Sequence, residues 1–187
     1  MYDTKYGGNR IVRMALQLLP LVFTRPGELR LARWNEFKLD KAKWTIPATR
    51  TKTREVLHVH LTRQALNILH ELHKVTDSTE GYLFPAPRDK SGPISDNTLN
   101  KALRKMGYSK EKMTLHGWRA IARTKIREKV RVTDDNGAKV KIEVDAMELQ
   151  LGHAVRDSNG DAYNRTDLLD ERAAMLIAWA QGHANAG

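Results

Sequence analysis

The sequence predicts an α+β domain that is mainly α-helical and carries a small three-stranded antiparallel sheet. Most of the chain repeats apolar residues every three to four positions, which is typical of amphipathic helices. The stretch 34–61 instead alternates apolar and polar residues in three short runs. With 187 residues, 41% of them hydrophobic, the chain is long enough for one core, so we expect a single domain over 1–187.

The first half is predicted to place the sheet between helices. Apolar residues recur at helical spacing over 9–23. Pro20, followed by the loop 24–27, is expected to interrupt that helix and to start a short new one. The predicted strands are the runs 36–39, 44–47 and 56–61. Helical spacing returns over 62–75.

The second half is predicted to be helical apart from one hairpin. After a long loop, Ser95 or Asp96 can cap a helix through Met106, and Thr114 a longer one through about Val130. An extra hairpin is expected near 131–143, because valines alternate with polar residues around an Asp-Asp-Asn-Gly turn. The remaining predicted helices are 145–151 and 166–180.

The composition favours a polyanionic partner. Lys and Arg number 32 against 22 Asp and Glu, a net charge of +10, which makes nucleic acid the first candidate. The longest apolar runs fall far below the roughly 18 residues that span a bilayer, so no membrane partner is expected. The absence of cysteine excludes disulfides, thiolate zinc sites and a cysteine nucleophile.

We expect neither a cofactor nor a metal. The glycines are scattered and form no phosphate-binding loop. A calcium-loop frame over the predicted hairpin would begin at Val132, which has no carboxylate. His58 and His60 share a strand face, but no carboxylate or cysteine accompanies them.

The run His116-Gly117-Trp118-Arg119 is the most informative short motif. His116 and Arg119 lie three apart at a helix start and are expected to project from one face. Trp118 is expected to point into the apolar stripe, and Gly117 to let another backbone come close. Alone, such a pair on a basic helix is more often a solvated surface.

Five further residues in other short motifs favour a functional role for His116 and Arg119. Arg25 lies at a helix junction, and Glu28, three residues on, could fix its orientation. Lys52 lies at the tip of a sheet loop. His153 follows a helix stop, and Tyr163 comes ten residues later.

In order and spacing, these motifs resemble the catalytic domain of the tyrosine recombinases, the phage integrase family, and within it the integrases of prophages and genomic islands. The Arg-Pro-Gly-Glu-Leu run at 25–29, the Leu-Gly-His-Ala run at 151–154 and the Ala-Tyr-Asn-Arg run at 162–165 are similar to that branch. The resemblance extends from about residue 10 to the C-terminus. The hairpin near 131–143 is longer than the family leads us to expect.

The resemblance implies a phosphate-binding set. Arg25 and Arg119 would form the clamp, with Glu28 supporting Arg25, and His153 would donate a hydrogen bond to the scissile phosphate. Two arginine forks suit this task, because they can neutralise charge that grows on the non-bridging oxygens.

The resemblance also implies the groups that move protons. Tyr163 would be the nucleophile. Its phenol, ordinarily with a pKa of about 10, needs either a base, for which His116 is the candidate, or stabilisation by the arginine charges. Lys52 would protonate the leaving 5′ oxygen, although Arg50 and Arg54 are close enough in the loop to be confused with it.

The implied function is that of a site-specific DNA recombinase. Such an enzyme cleaves and rejoins strands through a 3′-phosphotyrosyl intermediate and thereby integrates or excises a mobile element, with no nucleotide cofactor. A DNA-relaxing topoisomerase with a similar active site and a non-catalytic basic DNA-binding module remain alternatives. A pure binder has no need of Tyr163 or the paired arginines.

The implied partners are double-stranded DNA at attachment sites and further copies of the chain in a synaptic tetramer. Accessory DNA-bending or directionality proteins are further candidates. Basic residues outside the catalytic set are expected to contact DNA, mostly at phosphates. They are Arg10, Arg13, Arg50, Arg54, Lys101, Arg104, Lys105, Arg123, Arg127 and Lys129.

The chain is expected to be the C-terminal catalytic domain of a longer integrase that has core-binding and arm-binding domains upstream. Its helix at 166–180 would either cover its own core or be exchanged between protomers. A cytoplasmic location is expected, in the bacterial nucleoid or as a phage-encoded protein.

Overall fold

The computed structural model describes residues 6–133, 136–153, 155 and 168–184, and it confirms the mainly helical α+β class. The helices are α1 (Arg10–Val22), α2 (Pro26–Arg30), α3 (Arg63–Thr76), α4 (Thr98–Lys105), α5 (Leu115–Lys129), α6 (Val144–Gln150) and α7 (Leu169–Ala184). The strands are β1 (Phe37–Lys38), β2 (Lys43–Ile46), β3 (Leu57–His60), β4 (Arg131–Thr133) and β5 (Lys139–Lys141).

Helix α1 is the centre of the core. The Asn9 side chain caps it by accepting hydrogen bonds from the backbone N–H groups of Ile11 at 2.9 Å and Val12 at 3.3 Å. Its apolar residues are buried except the half-buried Ile11, and the helix contacts α2, α3, α4, α5 and α7. The helices α2 and α5, at whose starts Arg25 and Arg119 lie, are therefore both packed against α1.

The expected break at Pro20 is wrong, because α1 continues through Pro20 to Val22. A proline in the last turn removes only one hydrogen bond, so the cost is small enough for packing to offset. Phe23, with φ of 56°, ends the helix, and its N–H donates to the Leu19 carbonyl at 3.2 Å.

The three-stranded antiparallel sheet is confirmed, in the order β1-β2-β3. Trp44 pairs with Val59 and Ile46 with Leu57, and these four side chains are buried on one face. His58 and His60 lie on the other face and are half-buried. The alternation therefore predicted the strands, and the structure shows that the face with Trp44 meets the core.

The extra hairpin is confirmed as β4 and β5, with Val132 opposite Val140. The second strand ends at Lys141, earlier than the alternation predicted, and Val144 is already the first residue of α6. Helix α4 begins at Thr98, preceded by Asn97. The expected Ser95 cap instead makes a 2.8 Å hydroxyl contact with Thr98.

Helix α7 covers the core of its own chain. Its Trp179 ring meets Phe23 edge to face at 5.3 Å, and the indole N–H donates to the Pro20 carbonyl at 3.0 Å. The buried Arg172 donates to Gln150 Oε1 at 3.2 Å, and Gln150 Nε2 donates to the Val22 carbonyl at 3.0 Å. This is one of the two placements expected for this helix, and exchange between protomers stays a prediction.

The loop between β2 and β3 is anchored by Arg50. Its guanidinium forms an ion pair with Glu36 and donates to the Glu28 carbonyl at 3.3 Å. Burial lowers the pKa of Arg50, and the charges of Glu36 and Glu28 partly oppose this effect. Arg50 was predicted to contact DNA, but here its contacts serve the fold.

No helix in the described ranges combines the length and apolarity needed to cross a bilayer.

We expect the half-buried histidines of β3 to make the stability depend on pH. Burial lowers the pKa of both rings, and the charges of Lys43 and Arg172 lower that of His58 further. The unfolded chain then binds more protons, so the free energy of unfolding decreases as the pH falls from about 7.5 to 5.5. Urea unfolding should show a flatter pH dependence for the double variant His58→Gln/His60→Gln than for the wild type. A wild-type slope in the double variant would contradict this origin.

We also expect Arg50 to matter for stability more than its exposed neighbour Arg54. Arg50→Met removes the ion pair and leaves Glu36, whose side chain is 10% exposed, with the Trp44 indole as a remaining donor at 3.0 Å. Chemical denaturation should show a loss of about 1–3 kcal/mol. The control Arg54→Met should lose less than about 0.5 kcal/mol. Equal losses would contradict the anchoring role.

Candidate active site

Arg25 is fixed by the carboxylate predicted to orient it. Arg25 lies just before α2, where its backbone N–H donates to Glu28 Oε2 at 2.7 Å and its Nη1 donates to Oε1 at 2.9 Å. Glu28 is only 4% exposed, so both bonds are sheltered from water. Pro26 suits the first helical position, because its missing N–H needs no partner there. The spacing of three residues therefore lets both carboxylate oxygens of Glu28 accept charge-assisted hydrogen bonds from Arg25.

At the start of α5, the prediction for Trp118 is confirmed and the prediction for Gly117 is wrong. Thr114 caps the helix by accepting the Gly117 N–H at 2.9 Å, and Trp118 packs against the core as expected. A Cβ atom at Gly117 would lie 3.2 Å from Thr114 Oγ1, so its close neighbour is this hydroxyl and not another backbone. His116 is exposed, whereas Arg119 is buried.

Arg119 has the most unusual electrostatics in the described site. Its guanidinium donates to the Leu151 carbonyl, and its buried Nε has no hydrogen-bond partner in the described part of the chain. Burial, followed by the charge of Arg25, lowers the pKa of Arg119 to about 10, against a smaller opposing effect of Glu28 and Glu148. The side chain remains protonated at neutral pH. Two neighbouring guanidinium groups, one with a free donor, form a site suited to an anion.

One turn holds both arginines. Arg25 Nη2 donates to the Gly152 carbonyl at 3.3 Å, and the acceptor for Arg119 is the preceding carbonyl, that of Leu151. Gly152 has φ of 68°, a left-handed conformation that ends α6 and favours glycine. The Leu-Gly-His run therefore supplies two consecutive acceptors and then His153.

His153 is held by a carboxylate that the sequence analysis did not single out. Its Nδ1 lies 2.6 Å from Glu148 Oε2, and its backbone N–H donates to the Glu148 carbonyl at 3.0 Å. The other oxygen of Glu148 accepts from Arg123 at 2.5 Å. The only sequence signal for Glu148 was a carboxylate in the last turn of the helix that precedes His153.

Lys52 lies in the β2–β3 loop, as predicted. Thr51 is buried and closes this loop, since its hydroxyl donates to the Glu55 carbonyl at 2.7 Å and accepts the Glu55 N–H at 3.1 Å. Lys52 itself is exposed. Within the described residues, neither Lys52 nor His116 hydrogen-bonds to the other predicted site residues. The structure therefore brings together Arg25, Arg119 and His153, with Glu28 behind the first.

Tyr163, the predicted nucleophile, lies in 156–167, outside the described residues. Its placement stays a prediction.

The basic residues predicted to contact DNA fall into two groups. The first group makes contacts within the chain: the Arg104 guanidinium donates to the carbonyls of Tyr108 and Met113 and so holds the connection between α4 and α5. Arg50 is engaged as described above, and Arg13 is half-buried. The exposed members are Arg10, Arg54, Lys101, Lys105, Arg123, Arg127 and Lys129. Of these, Arg10 pairs with Glu71 at 3.4 Å and Arg123 with Glu148.

In the described residues, no group of three or more His, Asp and Glu side chains is arranged to hold a metal ion.

The chain is similar in sequence to curated integrases. It is 38% identical over 189 residues to the integrase of Enterobacteria phage P4. This alignment covers 94% of this chain and 40% of that protein. It is 32% identical over 160 residues to prophage integrase IntA of Escherichia coli K12, covering 86% and 36% respectively. The chain thus spans less than half the length of these relatives.

Two solved structures share the fold. The catalytic core of lambda integrase matches 87% of this chain and 91% of its own, with a TM-score of 0.58 and 18% identity. The integrase of mycobacterium phage Brujita matches 92% of this chain and 52% of its own, with a TM-score of 0.62 and 16% identity. The predicted catalytic-domain fold is therefore confirmed.

Residues 9–134 match the sequence profile of the Phage integrase family. This match covers more than half of the chain, and the recombinase motifs and the shared fold agree with it. The chain therefore belongs to the phage integrase family of tyrosine recombinases.

Proposed function

We propose that the chain is the catalytic domain of a longer site-specific DNA recombinase, an integrase that cleaves and rejoins strands at attachment sites. The observation that carries this proposal is the arginine pair, Arg25 and Arg119, which meets consecutive carbonyls of the turn before His153. The share of its curated relatives that the chain covers supports the idea of a domain within a longer enzyme.

The arginine pair suits a phosphodiester in its transition state. Negative charge grows on the non-bridging oxygens as the phosphorus is attacked, and preorganised guanidinium groups stabilise it most where water is excluded. Arg119 is 7% exposed, and its Nε has no partner among the described residues. The repulsion between the two cations, which contributes to the lowered pKa of Arg119, would be relieved by a bound phosphate.

The reaction proceeds by two transesterifications. The Tyr163 hydroxyl oxygen attacks the phosphorus, the bond from phosphorus to the 5′ oxygen breaks, and a 3′-phosphotyrosyl link forms. His116 accepts the tyrosine proton and Lys52 protonates the departing 5′ oxygen. The 5′ hydroxyl of another strand then attacks the phosphotyrosyl group and releases Tyr163. Each step replaces one phosphoester by another, so no nucleotide is consumed.

The same proposal includes the partners and the location. Double-stranded DNA is the substrate, and the exposed cations of α4 and α5 contact its phosphates. Strand exchange takes place in a synaptic tetramer of this enzyme, with accessory DNA-bending or directionality proteins, in the bacterial cytoplasm.

The first prediction concerns covalent attachment. A nicked suicide DNA that carries the core site should become attached to the full-length wild-type protein and not to Tyr163→Phe, because only the former has the phenol oxygen. Denaturing gel electrophoresis detects the adduct. No adduct in either protein on a confirmed site would refute the enzyme proposal, and equal adduct in both would move the nucleophile elsewhere.

The second prediction separates catalysis from binding. Arg119→Lys keeps a charge but loses the fork, so cleavage should fall by at least about 100-fold while DNA affinity changes little. Arg127→Gln, an exposed change on the same helix, should lower affinity and reduce the salt slope by about 1, with little effect on cleavage of saturated DNA. Gel-shift titrations at several salt concentrations and single-turnover cleavage measure the two effects. Similar binding losses in both variants would contradict this division of roles.

A further inference from the structure

We infer that Glu148 is a positioning residue for His153, which holds the imidazole by its Nδ1 nitrogen and leaves Nε2 for the scissile phosphate. This inference rests on the proposed function for the role of His153. The pairing of Glu148 with His153 can be tested without that function.

The contact is close and sheltered on the carboxylate side. Glu148 Oε2 lies 2.6 Å from His153 Nδ1, and the Glu148 side chain is 13% exposed, whereas that of His153 is 47% exposed. The backbone of the same two residues is also joined, since the His153 N–H donates to the Glu148 carbonyl at 3.0 Å. Glu148 therefore restrains both the turn and the ring that follows it.

The carboxylate determines which ring nitrogen carries a proton. An ionised carboxylate only accepts hydrogen bonds, so Nδ1 must be the donor in this contact. The other nitrogen, Nε2, is then the one available to a ligand. To donate to a phosphate oxygen while Nδ1 is bound to Glu148, the ring must carry protons on both nitrogens, and we expect it to meet the phosphate as an imidazolium.

The second oxygen of Glu148 strengthens this arrangement. Arg123 Nε and Nη2 both approach Oε1 at 2.5 Å, so the carboxylate is fixed from α5 while it holds the ring beyond α6. Glu148 also acts on Arg119 through its charge. Among the residues that the structure describes, Glu148 is the carboxylate that pairs with the ring of His153.

The role parallels that of Glu28. One sheltered carboxylate fixes Arg25 with both of its oxygens, and another fixes His153 with one oxygen while Arg123 occupies the other. Charge-assisted hydrogen bonds of this kind restrict the orientation of the held group more than neutral ones do. We therefore assign Glu148 to the machinery that orients the phosphate-binding groups, as a residue that acts through His153.

The tautomer can be measured directly on the chain described here. Long-range nitrogen-15 NMR spectra of the histidine rings, with His153→Gln to assign the signal, should show a protonated Nδ1 at His153 in the wild type. The preference should be lost in Glu148→Ala and retained in part in Glu148→Gln, whose amide oxygen can still accept. Glu71→Gln is the matched control, because Glu71 is also paired with an arginine and a second cation but lies on α3. A neutral ring with protonated Nε2 in the wild type would overturn the inference.

The consequence for the reaction is measured by single-turnover cleavage of saturating suicide DNA in the full-length protein. Glu148→Ala should slow cleavage by about 10- to 100-fold, the effect expected for one charge-assisted hydrogen bond, and Glu148→Gln by less. Arg123→Gln removes the cation that fixes Glu148 from α5 but leaves the contact between Glu148 and His153, so it should slow cleavage less than Glu148→Ala does. Glu71→Gln should match the wild type.

The two hypotheses fail in different ways. Wild-type cleavage by Glu148→Ala, with the Nδ1 proton lost in its spectrum, would overturn the positioning role and leave the proposed function intact. Absence of any adduct with the wild type would refute the proposed function, while the NMR result would still decide the pairing. Circular dichroism of each variant ensures that cleavage is compared between folded proteins.

Discussion

The turn at Leu151 and Gly152 is the constraint on which the candidate site depends. It offers two consecutive carbonyl groups to the guanidinium groups of Arg25, just before α2, and Arg119, on α5. Its geometry follows from the end of α6, where Gly152 adopts a left-handed conformation and donates to the Leu149 carbonyl at 2.9 Å. Without this turn, the two mutually repelling cations would lose the adjacent carbonyl groups to which each of them donates. The remaining features of the site are arranged around it.

The net charge of +10 has a more specific meaning once the contacts are known. Some of the cations belong to the fold, since Arg50 holds a loop through Glu36 and Arg104 holds the connection to α5. Arg25 and Arg119 belong to the candidate site. The exposed lysines and arginines of α4 and α5 are the ones that we propose contact DNA. The net charge therefore includes cations with three different roles, and the composition alone does not distinguish them. Their hydrogen bonds and their exposure do.

Local patterns predicted most of the fold and part of the site. Periodicity identified the sheet and the helices, because burial of one face imposes a period on neighbouring residues. The pairing of Arg25 with Glu28 was predictable for the same reason, as three residues on a helix are neighbours. The structure differed where a distant contact decided the outcome, as at Arg50 with Glu36 and at Glu148 with Arg123. The passage of α1 through Pro20 is similar, because packing around the helix outweighed a local signal for a break.

The hydrogen bonds of Gln150 connect the last helix to the arginine clamp. Gln150 accepts from the buried Arg172 of α7 and donates to the end of α1, and it is directly followed by the two residues whose carbonyls hold Arg25 and Arg119. Helix α7 is therefore connected to Arg25 and Arg119 through Gln150 and the two residues that follow it in the chain. Displacing α7 would break the hydrogen bond between Arg172 and Gln150, so we expect the geometry at Arg25 and Arg119 to depend on where the final helix is docked.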